Sequence, residues 1–83
     1  MSDEILYKTK DQFMASILYA LGERIALSEW LDGKCFIYFK NKDKCDQVVL
    51  KYYSDELMIN PRTLFDSFKT IKTIVFIENK KCK

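Results

Sequence analysis

The sequence predicts an α+β fold: a small antiparallel or mixed sheet with helices packed on one face. Three observations carry this. Residues 25–41 read as a β-hairpin closed at Asp32-Gly33, with arms rich in β-branched and aromatic residues. Phe13, Met14, Ile17, Leu18 and Leu21 recur at helical spacing, and Gly22 follows as a stop. Cys45, Val48, Val49, Tyr52 and Tyr53 form a second helical stripe, with Lys42, Lys44, Asp46, Gln47 and Lys51 at the positions between.

The elements follow in order. Residues 5–8 are a short strand. Thr9 with Gln12 makes a capping-box pattern: the hydroxyl accepts from a free amide and the Gln side chain reaches back. The first helix is then expected over 10–21. After the hairpin, Asn41 or Asp43 caps a second helix that ends near Ser54-Asp55. Residues 57–59 read as a short edge strand. Asn60-Pro61 opens a third helix, with Asn as N-cap and Pro in the first position, and Leu64, Phe65, Phe68 and Ile71 are expected to form its buried stripe. Residues 73–77, TIVFI, fit two states. Val75 continues the stripe, yet the run is β-branched and aromatic enough for a strand. A single domain over 1–79 and a disordered basic tail over 80–83 complete the chain.

The order is therefore β-α-β-β-α-(β)-α. With the bracketed strand it is the split βαβ pattern of ferredoxin-like folds plus a C-terminal helix. The right-handed crossover rule places the first strand beside residues 35–39, with the first two helices on one face.

Register decides what the second face carries. A three-residue loop, Leu31-Asp32-Gly33, sets Ile25, Leu27, Cys35, Ile37 and Phe39 on one face. It leaves Ala26, Ser28, Trp30, Lys34, Phe36, Tyr38 and Lys40 on the other. A two-residue turn instead moves Trp30 to the side of Cys35, and Leu27 to the side of Phe36 and Tyr38. The first register is favoured because it yields a nearly pure aliphatic face. Under either, both faces hold large apolar groups, and one layer of helices cannot hide them all.

Composition excludes several classes. The chain has 83 residues, 48% hydrophobic and 31% charged, so it is a folded domain and not a disordered tail. Its net charge of +2 is too balanced to argue for nucleic acid by itself. The three cysteines, Cys35, Cys45 and Cys82, fit no disulfide or zinc spacing. Cys35 and Cys45 read as small buried hydrophobes in a reducing compartment, and Cys82 as exposed in the tail. No stretch is long enough to span a bilayer, so a soluble cytoplasmic protein without a membrane partner is expected.

Catalysis finds no support. The chain has no His, hence no imidazole base or His-activated nucleophile. The pairs Asp3-Glu4 and Asp55-Glu56 lie at a terminus and a helix end and read as solvated charge. Its two glycines, Gly22 and Gly33, serve as punctuation and not as a phosphate loop. No catalytic residue, metal ligand or cofactor is assigned. The aromatic face stands above this background. Trp30, Phe36 and Tyr38, with Lys34, Lys40, Lys42 and Lys44 around them, are the candidate partner-binding residues. The bland alternative is that the last helix or a second copy covers the rings. Lys69, Lys72, Lys80, Lys81 and Lys83 crowd one end of the sequence, against Asp3, Glu4 and Asp11 at the other.

Two resemblances bear on function. Phe36-Ile37-Tyr38-Phe39 is similar to the end of the strand motif of RNA-recognition domains, but the preceding glycines are missing and Lys8 stands where that fold has an apolar residue. Tyr7-Lys8-Thr9-Lys10-Asp11, Gly22, Phe36 with Phe39-Lys40-Asn41, Lys51-Tyr52-Tyr53, and Asn60-Pro61 leading to a short helix together make the chain resemble small domains of unknown function carried by phages and prophages of low-GC bacteria. That resemblance implies the cytoplasm of a host cell and no catalytic residues. By analogy it implies a protein that inhibits a host defence enzyme, such as a CRISPR nuclease, by direct contact. The expectation is a non-enzymatic protein-binding module, a homodimer, whose partner is a host enzyme or itself. A nucleic-acid binder using the same aromatic and lysine face is the alternative.

Overall fold

The computed structural model describes residues 5–81. The elements are β1 (Tyr7–Thr9), α1 (Gln12–Ala20), β2 (Ile25–Leu31), β3 (Lys34–Phe39), α2 (Lys42–Tyr53) and α3 (Pro61–Lys81). Cys82 and the acidic pair Asp3-Glu4 lie outside the described residues.

Local polar chemistry sets the helix ends. The Asp11 carboxylate caps α1, accepting from the amides of Phe13 at 2.9 Å and Met14 at 3.1 Å. The cap thus lies two residues beyond Thr9, where the sequence placed it. Thr9 is held in β1 opposite Ile37, and its hydroxyl accepts from the Asp11 amide at 3.1 Å. A carboxylate also suits the positive end of a helix better than a hydroxyl. Asn41 caps α2, and the Asn60 side chain accepts from the amides of Arg62 and Thr63 at the start of α3. At the other ends, α1 and α2 both close in Schellman motifs. Glu23 N–H donates to the Leu18 carbonyl and Glu56 N–H to that of Lys51, each at 3.0 Å. The left-handed residue is Gly22 in the first (φ +94°) and Asp55 in the second (φ +59°).

α3 resolves the ambiguity of residues 73–77 in favour of helix. Ile71 is fully buried, and Ile74 and Val75 pack on the core, so the 3.6-residue stripe outweighs β-propensity. Thr73 fits by donating its hydroxyl to the Lys69 carbonyl at 3.0 Å. The helix runs on through Lys80 and Lys81.

The three strands form one sheet in the order β1-β3-β2, with β3 antiparallel to both neighbours. β1 and β2 run the same way with β3 between them, which is the split βαβ arrangement. Tyr7 opposes Phe39, so the first strand lies where the crossover rule set it. The fourth strand does not form. Residues 57–59 keep the alternation that suggested it, with Leu57 and Ile59 half-buried and Met58 89% exposed, but they pack on the core without joining a ladder.

The hairpin corrects the favoured register. The turn has two residues, Asp32 (φ +50°) and Gly33 (φ +76°), both left-handed. This is a type I′ turn, whose twist matches that of the strands. Leu31 opposes Lys34, Trp30 opposes Cys35, Ser28 opposes Ile37, and Leu27 opposes Tyr38. A bulge at Ala26 then restores Ile25 opposite Phe39. The nearly pure aliphatic face is therefore not realised. Ser28 sits on it, and its hydroxyl donates to Glu78 of α3 at 2.7 Å.

The core joins Met14, Ala15, Ile17 and Leu18 of α1 to Cys35, Ile37 and Phe39 of β3, Cys45 of α2 and Ile71 of α3. Residues from all three helices share this core with the alternate residues of β3, so the helices lie on one face of the sheet.

Candidate functional site

The strand alternation that buries Cys35, Ile37 and Phe39 sends Lys34, Phe36 and Tyr38 to the far side, away from the helices. Across the ladder, Lys8 and Leu27 flank Tyr38, Glu29 lies opposite Phe36, and Leu31 opposite Lys34. Leu27 is 46% and Leu31 43% exposed. Phe36 and Tyr38 are half-buried among these neighbours. The Lys8 ammonium rides above both rings, 4.6 Å from the Phe36 centroid and 5.7 Å from that of Tyr38. The Tyr38 hydroxyl donates to the Glu29 carboxylate. That bond, helped by burial and the negative charge, raises the Tyr38 pKa, so the phenol stays protonated at neutral pH. Beside the turn, the Lys34 ammonium lowers the pKa of Lys10, because the two cations lie side by side.

The seven residues singled out in the sequence fall into three places. Phe36, Tyr38 and Lys34 share the open face. Trp30 does not: the two-residue turn puts its indole on the helix side, next to Cys35 and Val75 and against the core. Lys40, Lys42 and Lys44 sit at the corner between β3 and α2. There Lys42 pairs with Asp46 at 2.7 Å, which raises its pKa, while Lys40 and Lys44 line a shallow polar hollow with Glu23 and Arg24. Sequence reasoning missed Lys8, Leu27, Glu29 and Leu31. The signal for Leu27 was the less favoured register, which set it beside Phe36 and Tyr38.

The cysteines are packing groups. Cys45 is fully buried, and burial, then the charges of Glu23 and Asp46, pushes its thiol up to about 11. Burial also raises Cys35. Both are therefore protonated near neutral pH, and a protonated, buried thiol is a poor nucleophile. Among the described residues, no three His, Cys, Asp or Glu side chains converge as metal ligands, and no helix is long and apolar enough to cross a membrane. The open face can offer contact, stacking and hydrogen bonds.

Comparison with models of known protein families, with curated proteins and with solved structures finds no match.

Proposed function

We propose that the chain is a non-enzymatic protein-binding module whose contact surface is the open face of its sheet. One observation carries the reading: Phe36, Tyr38, Leu27 and Leu31 lie together on the side of the sheet away from the helices. Contiguous apolar and aromatic groups of this kind usually mark an interface, with a few anchors carrying most of the affinity. Lys8 lies over the two rings and Lys10 with Lys34 stands beside the turn, so the matching surface offers apolar groups to Leu27 and Leu31 and carboxylates to the three lysines. The phage-domain resemblance makes a host defence enzyme the candidate partner, held inactive by contact in the host cytoplasm. A second copy is the other protein able to cover the face, and the module would then be a homodimer.

Nucleic acid is the second reading, favoured by Lys8 over the two rings. Glu29 within the face and the flanking leucines weigh against it, since a carboxylate repels phosphates and Leu side chains do not stack on bases.

The test is co-purification of a tagged chain from cells that express it. A partner bound to the parent chain, unaffected by nuclease and lost from a folded variant carrying Leu27→Asp and Phe36→Ser, supports protein binding. Retention by that variant refutes the site. An association that nuclease abolishes and that falls steeply with salt favours the second reading.

A further inference from the structure

A second surface lies on the helical side. Phe13 of α1 and Pro61, Leu64, Phe65 and Phe68 of α3 line an open cup of about 370 Å³ whose walls are almost wholly apolar. Phe13 is 45% and Phe65 60% exposed, although both belong to the stripes that build the core. The cup runs on, past Phe13 and Leu64, into a cleft of about 300 Å³ walled by Tyr52, Leu57 and Ile59, with the Asp55 carboxylate at its far end from the lysines of α3. Residues 57–59 form this wall because they pack on the core instead of joining the sheet.

The rim of the cup is cationic. The Lys69 ammonium lies 4.8 Å from the centroid of Phe65, and that of Lys72 lies 5.6 Å from the centroid of Phe68. Arg62 stands one turn before the rings. Asp66 is the single carboxylate on α3 between Pro61 and Phe76. These lysines follow their rings at i+4, so each cation is held at the edge of the apolar wall it borders.

We propose that this cup is a docking site for an acidic amphipathic helix of a partner protein. The partner sets large aliphatic or aromatic side chains into the cup and cleft, and its carboxylates pair with Lys69, Lys72 and Arg62. Helices dock in this way when an apolar stripe meets a groove and the flanking charges are complementary. Charge selects this occupant over two others. A second copy meeting this one cup to cup would bring the same lysines to the same rim, where they repel. A nucleic acid would satisfy the lysines and leave a walled apolar cup unfilled. The site shares no residue with the open sheet face and stands or falls separately from it.

The probe is a designed helical peptide with Leu and Phe along one face and Glu on the others, and a twin with every Glu changed to Lys. Binding to the full chain is followed by fluorescence anisotropy at two salt concentrations. The Glu peptide is expected to bind and the Lys peptide not. Lys69→Glu with Lys72→Glu should weaken the Glu peptide about tenfold or more, as loss of two complementary rim charges does. Phe65→Ser should abolish binding. Phe65 is largely exposed, so the variant should fold, which circular dichroism checks. Leu50→Ser, at an exposed position of α2 that lines neither the cup nor the open sheet face, should leave the affinity unchanged. Three results would overturn the proposal: equal binding of both peptides, no binding of either, or a concentration-dependent doubling of mass that Phe65→Ser removes. A single-stranded oligonucleotide held through Lys69 and Lys72 where the Glu peptide is not would overturn it too.

Discussion

Replacing Trp30 with Ala tests the hairpin register, on which the composition of both sheet faces depends. In the type I′ hairpin the indole packs against the core, opposite Cys35 and near Val75. A Trp side chain carries about 150–250 Å² of contact surface. With most of it covered, truncation returns roughly 100–150 Å² of apolar surface to water, or about 3 kcal/mol at 25 cal/mol/Å². A domain of this size is stable by roughly 4–12 kcal/mol, so the loss is a large part of the total. With a urea m-value of about 1 kcal/mol/M, the midpoint should fall by about 3 M. Leu31→Ala, on the open face, is the control and should cost under about 1 kcal/mol. Trp30 is the only Trp in the chain, which gives an independent readout. Its emission in the folded state should be blue-shifted and poorly quenched by iodide. If Trp30→Ala costs no more than Leu31→Ala and the indole is freely quenched, the register described here is wrong, and Trp30 belongs beside Phe36 and Tyr38.

Three further outcomes are expected. Asp55 closes α2 in a left-handed conformation that Gly adopts without strain, so Asp55→Gly should raise stability by about 0.5–1 kcal/mol in chemical denaturation. Ser28→Ala leaves the Glu78 carboxylate, whose side chain is 12% exposed, with Lys81 at 3.6 Å as its remaining partner. It should cost about 1–3 kcal/mol and loosen α3 from β2, read as faster amide exchange in the last turns of α3. The Cys45 thiol titrates near 11 in the folded chain against an ordinary 9.0. Its stabilising contribution is therefore complete below pH 9 and is lost as pH rises toward 11, by about 3 kcal/mol at the upper limit. Cys45→Ala should flatten the decline in the urea midpoint between pH 9 and 11. An equally steep decline in that variant would assign the loss to other groups.

Much of the fold was legible because local chemistry and periodicity agreed. The stripes of α1 and α2, Asn41 and Asn60 as caps, Gly22 as a stop, and the strand pair beside residues 35–39 all required only nearest-neighbour rules. The departures arose where two local signals competed. Thr9 and Asp11 both suit a cap, and pairing in β1 decided between them. Residues 57–59 alternate like a strand, but the same alternation serves packing without a ladder. Asp32-Gly33 fits two loop lengths, and the preference for a clean aliphatic face put Ser28 on the open side, whereas the Glu78 carboxylate of α3 accommodates it on the helix side. That one-residue choice moved Trp30 and Leu27 in opposite directions. The candidate site was therefore half legible. Phe36, Tyr38 and Lys34 followed from the alternation of β3, whereas Leu27, Glu29, Leu31 and Lys8 depended on the register of its neighbours.

The central claim is that the far side of the sheet meets another protein, and a photo-crosslinker at that surface tests it most directly. Benzoylphenylalanine placed at position 36, and at Leu50 as an exposed control outside both surfaces, should be irradiated in living cells. A discrete protein adduct from position 36, absent from position 50 and lost when Leu27 and Leu31 are changed to Asp, is the result expected. No adduct from position 36, an adduct that nuclease digests, or identical adducts from both positions would contradict the claim.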